Sequence, residues 1–178
     1  MRAAIFLAVI LSTLSHVAPA GADVVHADKA GFETKATVTI PKTDDAVWAW
    51  MSRPDEWWDS KHTISGDALN LKLDMKVGGC FCERIPSDNG EVQHGIITQL
   101  EEWKTLRLRA ELGPLADLAV TGVLTFTLGE AKDHKSTVVT LTYRVGGYVD
   151  GGLDQLAKPV DAVLTAQLQR LRAIATEN

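Results

Sequence analysis

Residues 153–174, LDQLAKPVDAVLTAQLQRLRAI, carry the pattern on which the fold turns. Leu156, Val160, Val163, Leu164, Leu168, Leu171 and Ile174 recur at three- and four-residue spacing, the single apolar stripe of an amphipathic helix. Asp154 stands in its first turn and Arg170 and Arg172 near its end, where the helix dipole favours each charge. Pro159 predicts a kink about one turn upstream. Most of the stability of such a helix comes from packing its apolar face, so the rest of the chain must supply a surface.

That surface is a sheet. Upstream of the helix, apolar residues alternate with polar ones at the strand period of two. One run is Leu69, Leu71, Leu73 and Met75; the next is Phe81, Glu83 and Ile85; a third is Val92, His94, Ile96, Thr98 and Leu100. Leu106 to Leu112, Val120 to Leu128 and Val139 to Val145 continue the series. Their intervening partners, among them Lys72, Arg84, Gln93, Arg107, Arg109 and Arg144, are largely polar, which predicts a sheet wet on one face and covered on the other. Phe32–Ile40 (FETKATVTI) reads as a first strand ended by Pro41. Thr43-Asp44-Asp45 then caps a short helix through Met51, and Pro54-Asp55-Glu56 opens a second carrying Trp57-Trp58. The expected class is α+β, in the order β-α-α-β6-α, with a curved antiparallel sheet wrapped around a long C-terminal helix.

Composition narrows the function. The 178 residues are 46% apolar and 23% charged, as for one globular domain. A formal charge of −5 offers no basic stripe for nucleic acid. Residues 1–22 read as a cleavable signal peptide: Arg2 precedes an apolar run from Ala3 to Leu11, and Ala18-Pro19-Ala20 and Ala20-Gly21-Ala22 both fit small-x-small cleavage. That run is too short to span a bilayer, so stable membrane insertion after cleavage is not expected. The mature chain, residues 23–178 or from Gly21, is expected as a single domain in the periplasm or secreted. No cofactor is expected: there is no Walker-type loop and no GxGxxG, and Gly78-Gly79, Gly146-Gly147 and Gly151-Gly152 read as bulges or turns.

The whole pattern resembles the START/polyketide-cyclase-like (SRPBCC, helix-grip) superfamily, nearest its bacterial Hsp90-ATPase-activator-like group. The matching stretches are Trp57-Trp58 before the second strand, Val77-Gly78-Gly79 leading into Phe81 and Glu83, Leu112-Gly113-Pro114-Leu115, and Val160-Asp161-Ala162-Val163-Leu164 in the last helix. The resemblance implies an apolar cavity between sheet and helix that binds a hydrophobic small molecule. It carries over no catalytic residue, and the heat-shock partner role does not suit an exported chain.

Glu83 and His94 are the sharpest local feature, both on apolar strand faces and joined by the turn Pro86-Ser87-Asp88-Asn89-Gly90. A two-residue turn at Asp88-Asn89 sets them directly opposite, whereas a bulged turn makes them diagonal. They fit three roles: polar anchors for a ligand, a self-satisfied buried pair, or an acid and base. Trp57, Trp58, Phe81, Leu112, Tyr143 and Leu164 complete the expected ligand-binding set, one Trp in the core and the other at the cavity mouth, with Leu112–Leu115 as a lid. Trp48 and Met51 read as core, and His26, His62 and His134 as solvated loop or terminal residues. Cys80 and Cys82 fall on the sheet's outer side as alternate residues, about 6.6–6.8 Å apart on a regular strand, at the edge of disulfide reach. Two partly shielded thiols are the first reading, a strained or redox-active disulfide the second; a metal site lacks a second cysteine pair. The leading function is an exported carrier of a hydrophobic molecule such as a lipid or polyketide. The rivals are a cyclase-, isomerase- or hydrolase-like enzyme using Glu83 and His94, and a peptide-groove interaction protein.

Overall fold

The computed structural model describes residues 21–177, so the expected signal segment falls outside the described residues except for Gly21 and Ala22. Eight strands form one curved, open antiparallel sheet in the order β1-β2-β8-β7-β6-β5-β4-β3. They are β1 (Gly21–Asp28), β2 (Gly31–Ile40), β3 (Leu71–Leu73), β4 (Cys80–Ile85), β5 (Gly90–Glu101), β6 (Thr105–Ala110), β7 (Ala119–Glu130) and β8 (Thr137–Tyr148). Two short helices, α1 (Asp44–Met51) and α2 (Pro54–Trp57), follow β2, and α3 (Asp154–Glu177) closes the chain. An early strand and the last strand are neighbours in the sheet, where β2 pairs with β8 from Gly31↔Gly146 to Ile40↔Thr137.

Two expectations need correction at the sheet's edges. The first strand is β1, ahead of the one expected at Phe32, and it pairs along β2 from Gly21↔Thr37 to Asp28↔Gly31. Asp28 makes the turn by accepting the N–H groups of Ala30 and Gly31. His26 therefore stands on a strand, exposed and paired with Asp28, and not in a loop. At the other edge, the strand expected from Leu69 to Met75 shrinks to three residues. Asp67 caps a 3-10 turn at Ala68–Asn70 by accepting the Leu69 N–H, and Leu69 itself is exposed.

The inward face of β5 also differs from a strict alternation. Register shifts occur between Phe81 and Cys82 of β4, opposite His94, and between Ile97 and Gln99 of β5. Each inserts one residue and reverses the phase, so Gly95 and Ile97 point inward in the middle, where Ile96 and Thr98 were expected. Gly95 is required there: a Cβ would meet the Ala110 Cβ at 2.8 Å and the Arg109 carbonyl at 2.9 Å. The β4–β5 connection is four residues long, since Ile85 pairs with Gly90.

Helix α3 buries Ala157, Leu164, Leu168, Leu171 and Ala175, and packs mainly on β2 and β1. Pro159 lies in its second turn without ending it. Burying each of the three leucines is worth about 1.5–3 kcal/mol in transfer free energy. Polar ties fix the helix to its surroundings: Arg170 Nε donates to the Trp57 carbonyl at 2.9 Å, and Arg172 Nε to that of Thr39 at 3.1 Å. Gln167 Oε1 accepts the Asp59 N–H at 2.8 Å. With α3 lying over the β1–β2 side, α1 and α2 are left to cover the sheet beyond it.

Candidate functional site

Between those short helices and the sheet lies a cavity of about 20 Å³, and no residue of α3, the helix expected to form one wall of the cavity, lines it. Met51, Pro54 and Trp57 bound it from α1 and α2, with Trp58 just beyond. Leu73, Phe81, Leu106, Leu108, Leu124 and Phe126 form its floor on the sheet. All ten are apolar, and the space is about that of one water, which would find no polar partner there.

Of the residues expected to bind a ligand, Trp57, Trp58 and Phe81 line this cavity. Glu83, His94, Leu112, Tyr143 and Leu164 are not among its lining. Both tryptophans are buried, at 3% and 8% exposure, so neither stands at an open mouth. Their indole N–H groups are held by backbone, Trp57 Nε1 on the Trp50 carbonyl at 2.9 Å and Trp58 Nε1 on that of His62 at 3.1 Å. This is how two adjacent tryptophans can both turn inward: α2 ends at Trp57, and Trp58 is already extended (ψ 145°). Met51, expected as plain core, is a wall of the cavity, and the inward Leu106, Leu108 and Leu124, expected only as sheet packing, form part of its floor.

Glu83 and His94 sit behind that wall. Rings pass the contact along, Trp58 to Phe81 at 5.7 Å between centroids and Phe81 to His94 at 5.3 Å. The bulge at His94 sets Glu83 opposite Val92, so the two are diagonal neighbours. Their side chains still meet, with Glu83 Oε2 2.8 Å from His94 Nε2. Glu83 is fully buried, and its carboxylate also accepts the Ile64 N–H at 3.0 Å and the Ser65 N–H. Burial is the largest single influence and pushes its pKa up, but the Ser65 hydroxyl and N–H, the Ile64 N–H and His94 together outweigh it and hold the carboxyl below the usual carboxylate range. An ionised carboxylate only accepts, so His94 Nε2 carries the hydrogen. The pair pins the segment after Trp58 to the sheet.

Tyr143 is likewise self-contained. Its hydroxyl donates to the Ala110 carbonyl at 2.9 Å and accepts the Leu112 N–H at 3.4 Å. Burial pushes its hydroxyl above the ordinary phenol range, so it stays protonated. Gly122 makes room for the ring: a Cβ there would lie 2.6 Å from the Tyr143 hydroxyl. Leu112 is half-buried before a 3-10 turn at Gly113–Asp117 whose Leu115 enters the core.

Cys80 and Cys82 are disulfide-bonded, which corrects the expectation of two thiols. Their Cα atoms are 5.4 Å apart, closer than alternate residues on a regular strand at about 6.6–6.8 Å. The contraction coincides with the register shift between Phe81 and Cys82, which regular alternation could not anticipate. Both cysteines are half-buried on the outer face, while Phe81 between them points into the cavity. Among the described residues no cluster of three or more His, Cys, Asp or Glu side chains is arranged to hold a metal ion, and no helix is long and apolar enough to cross a membrane.

No protein-family model and no curated protein matches this sequence. Solved structures do match. A conserved protein of unknown function from Enterococcus faecalis superposes with a TM-score of 0.59 at 14% identity, over 87% of this chain and 75% of that one. A protein from Mycobacterium smegmatis gives 0.59 at 18% identity, over 90% and 99%. One from Rhizobium loti gives 0.57 at 20% identity, over 81% and 96%. At these identities the likeness is one of fold: an α+β chain whose curved, open antiparallel sheet is followed by a C-terminal helix, shared with proteins from several bacteria.

Proposed function

We propose that this protein binds a small hydrophobic molecule between the α1–α2 segment and the sheet, as an exported member of the START/polyketide-cyclase-like helix-grip superfamily. The observation that carries the reading is the wholly apolar cavity walled by Trp57, Trp58 and Phe81 at the place where α3 leaves the sheet to two short helices. Its resting volume of about 20 Å³ is far below the ~150 Å³ that accommodates benzene, so an occupant must displace α1–α2 outward. Affinity then comes from apolar area, about 25 cal/mol per Å² less the costs of association. Glu83 has its oxygens committed to Ile64, Ser65 and His94, which favours a carrier over acid–base chemistry.

Export rests on Arg2 and the apolar run from Ala3 to Leu11. Cleavage after Ala20 keeps β1 whole, whereas cleavage after Ala22 removes two residues that pair with Thr37 and Ala36. Native mass spectrometry of protein taken from its own host tests both parts. A chain beginning at Gly21, with an apolar compound that leaves on solvent extraction, is the expected result. A full-length, empty chain that takes up no fatty acid or polycyclic aromatic probe would refute the reading.

A further inference from the structure

We propose that the Cys80–Cys82 bond is a redox-active disulfide that takes two electrons from a dithiol. A bridge spanning a single residue, Phe81, draws the strand out of full extension to close, as the 5.4 Å Cα separation records. Reduction lets β4 extend again, so opening relieves the contraction that closing imposes. Its setting suits exchange. Both cysteines are half-buried on the outer face, within reach of a reductant. Lys72 lies directly across from Cys82 in β3, and Arg84 is the next residue of β4 on the same side. Of the acidic groups nearby, Asp74 is paired with Lys76 and Glu91 stands opposite Arg84, which leaves Lys72 as the cation directly beside Cys82. Cations beside a cysteine stabilise its thiolate and make it a good leaving group.

The exchange runs in two steps. A thiolate of the dithiol attacks Cys80 Sγ, forming a mixed disulfide as the Cys80–Cys82 bond breaks and its electron pair stays on Cys82, facing Lys72. The second thiolate of the reductant then attacks its own sulfur in the mixed disulfide and expels Cys80. The reductant leaves as a disulfide, and the two cysteines take up two protons. Phe81, whose ring meets Trp58 at 5.7 Å, reports the change in strand extension to indole fluorescence.

The test uses the intact oxidised protein with dithiothreitol at neutral pH, following tryptophan emission and trapping thiols for mass analysis. We expect two thiols per chain, formed at least about tenfold faster than in oxidised glutathione under the same conditions, and at least about threefold slower in Lys72→Met. Reduction no faster than that of oxidised glutathione, or only after unfolding, overturns the proposal. So does a purified chain with two thiols that oxidised glutathione fails to close. An unchanged rate in Lys72→Met overturns the assignment of Cys82 as the leaving group.

Discussion

Replacing Glu83 by Gln probes the way the sheet holds the segment after Trp58. The Ile64 N–H, the Ser65 N–H and His94 Nε2 all converge on this one fully buried carboxylate. An amide has the same shape but one acceptor oxygen, and its NH2 faces at least one of the three donors. A buried donor left without an acceptor costs about 1–3 kcal/mol, and hydrogen bonds to a charge are at the upper end, so the variant should lose about 2–3 kcal/mol. With a urea slope of about 2 kcal/mol/M, the midpoint followed by tryptophan fluorescence falls by ~1–1.5 M with the slope unchanged. The pH dependence has a definite sign. The Glu83 carboxyl is held below its ordinary value, so its contribution is complete above the usual carboxylate range and is lost as pH falls through the folded value. The gap between wild type and Glu83→Gln is therefore widest at neutral pH and narrows in acid. A midpoint shift below ~0.2 M, or a gap that widens in acid, would refute the reasoning.

Three further outcomes follow from named contacts. Gly122→Ala drives a Cβ to 2.4 Å from the Ala110 carbonyl and 2.6 Å from the Tyr143 hydroxyl, so unfolding should show a loss of more than about 1–3 kcal/mol. The Cys80→Ser, Cys82→Ser double variant should unfold within about 2 kcal/mol of the oxidised parent, because loop closure over so few residues contributes about 1.6 kcal/mol. Leu108→Ala, at the cavity floor, should cost about 2–5 kcal/mol and tighten binding of bulkier apolar probes, read by calorimetry; equal affinities would separate binding from this cavity.

Much of the architecture is legible in side-chain spacing. The stripe from Leu156 to Ile174 marks α3, and alternation marks six strands after the short helices. The failures share a cause: they are backbone events that side-chain polarity does not encode. The bulge at His94 turns Ile96 outward and Ile97 inward, and its one signal is Gly95, a glycine inside a strand where two backbones approach closely. β1 carries no such alternation, because its residues are mostly exposed and lack a buried alternating face. Cavity membership was legible for Trp57, Trp58 and Phe81, whose size and position mark them. It was not legible for Met51 or Leu108, whose role depends on where α3 stops covering the sheet. Glu83 was recognisable as buried and paired with His94, while its hold on Ile64 and Ser65 joins segments eighteen or nineteen residues apart.

The most direct measurement is methyl NMR of the labelled protein titrated with the compound that co-purifies from its host, or with a medium-chain fatty acid. Binding in the proposed place shifts the methyls of Met51, Leu73, Leu108 and Leu124 together, with those of Leu168 and Leu171 on the buried face of α3 nearly still. Saturation with no change at these methyls, or shifts confined to exposed Leu69 and Val77, would contradict it.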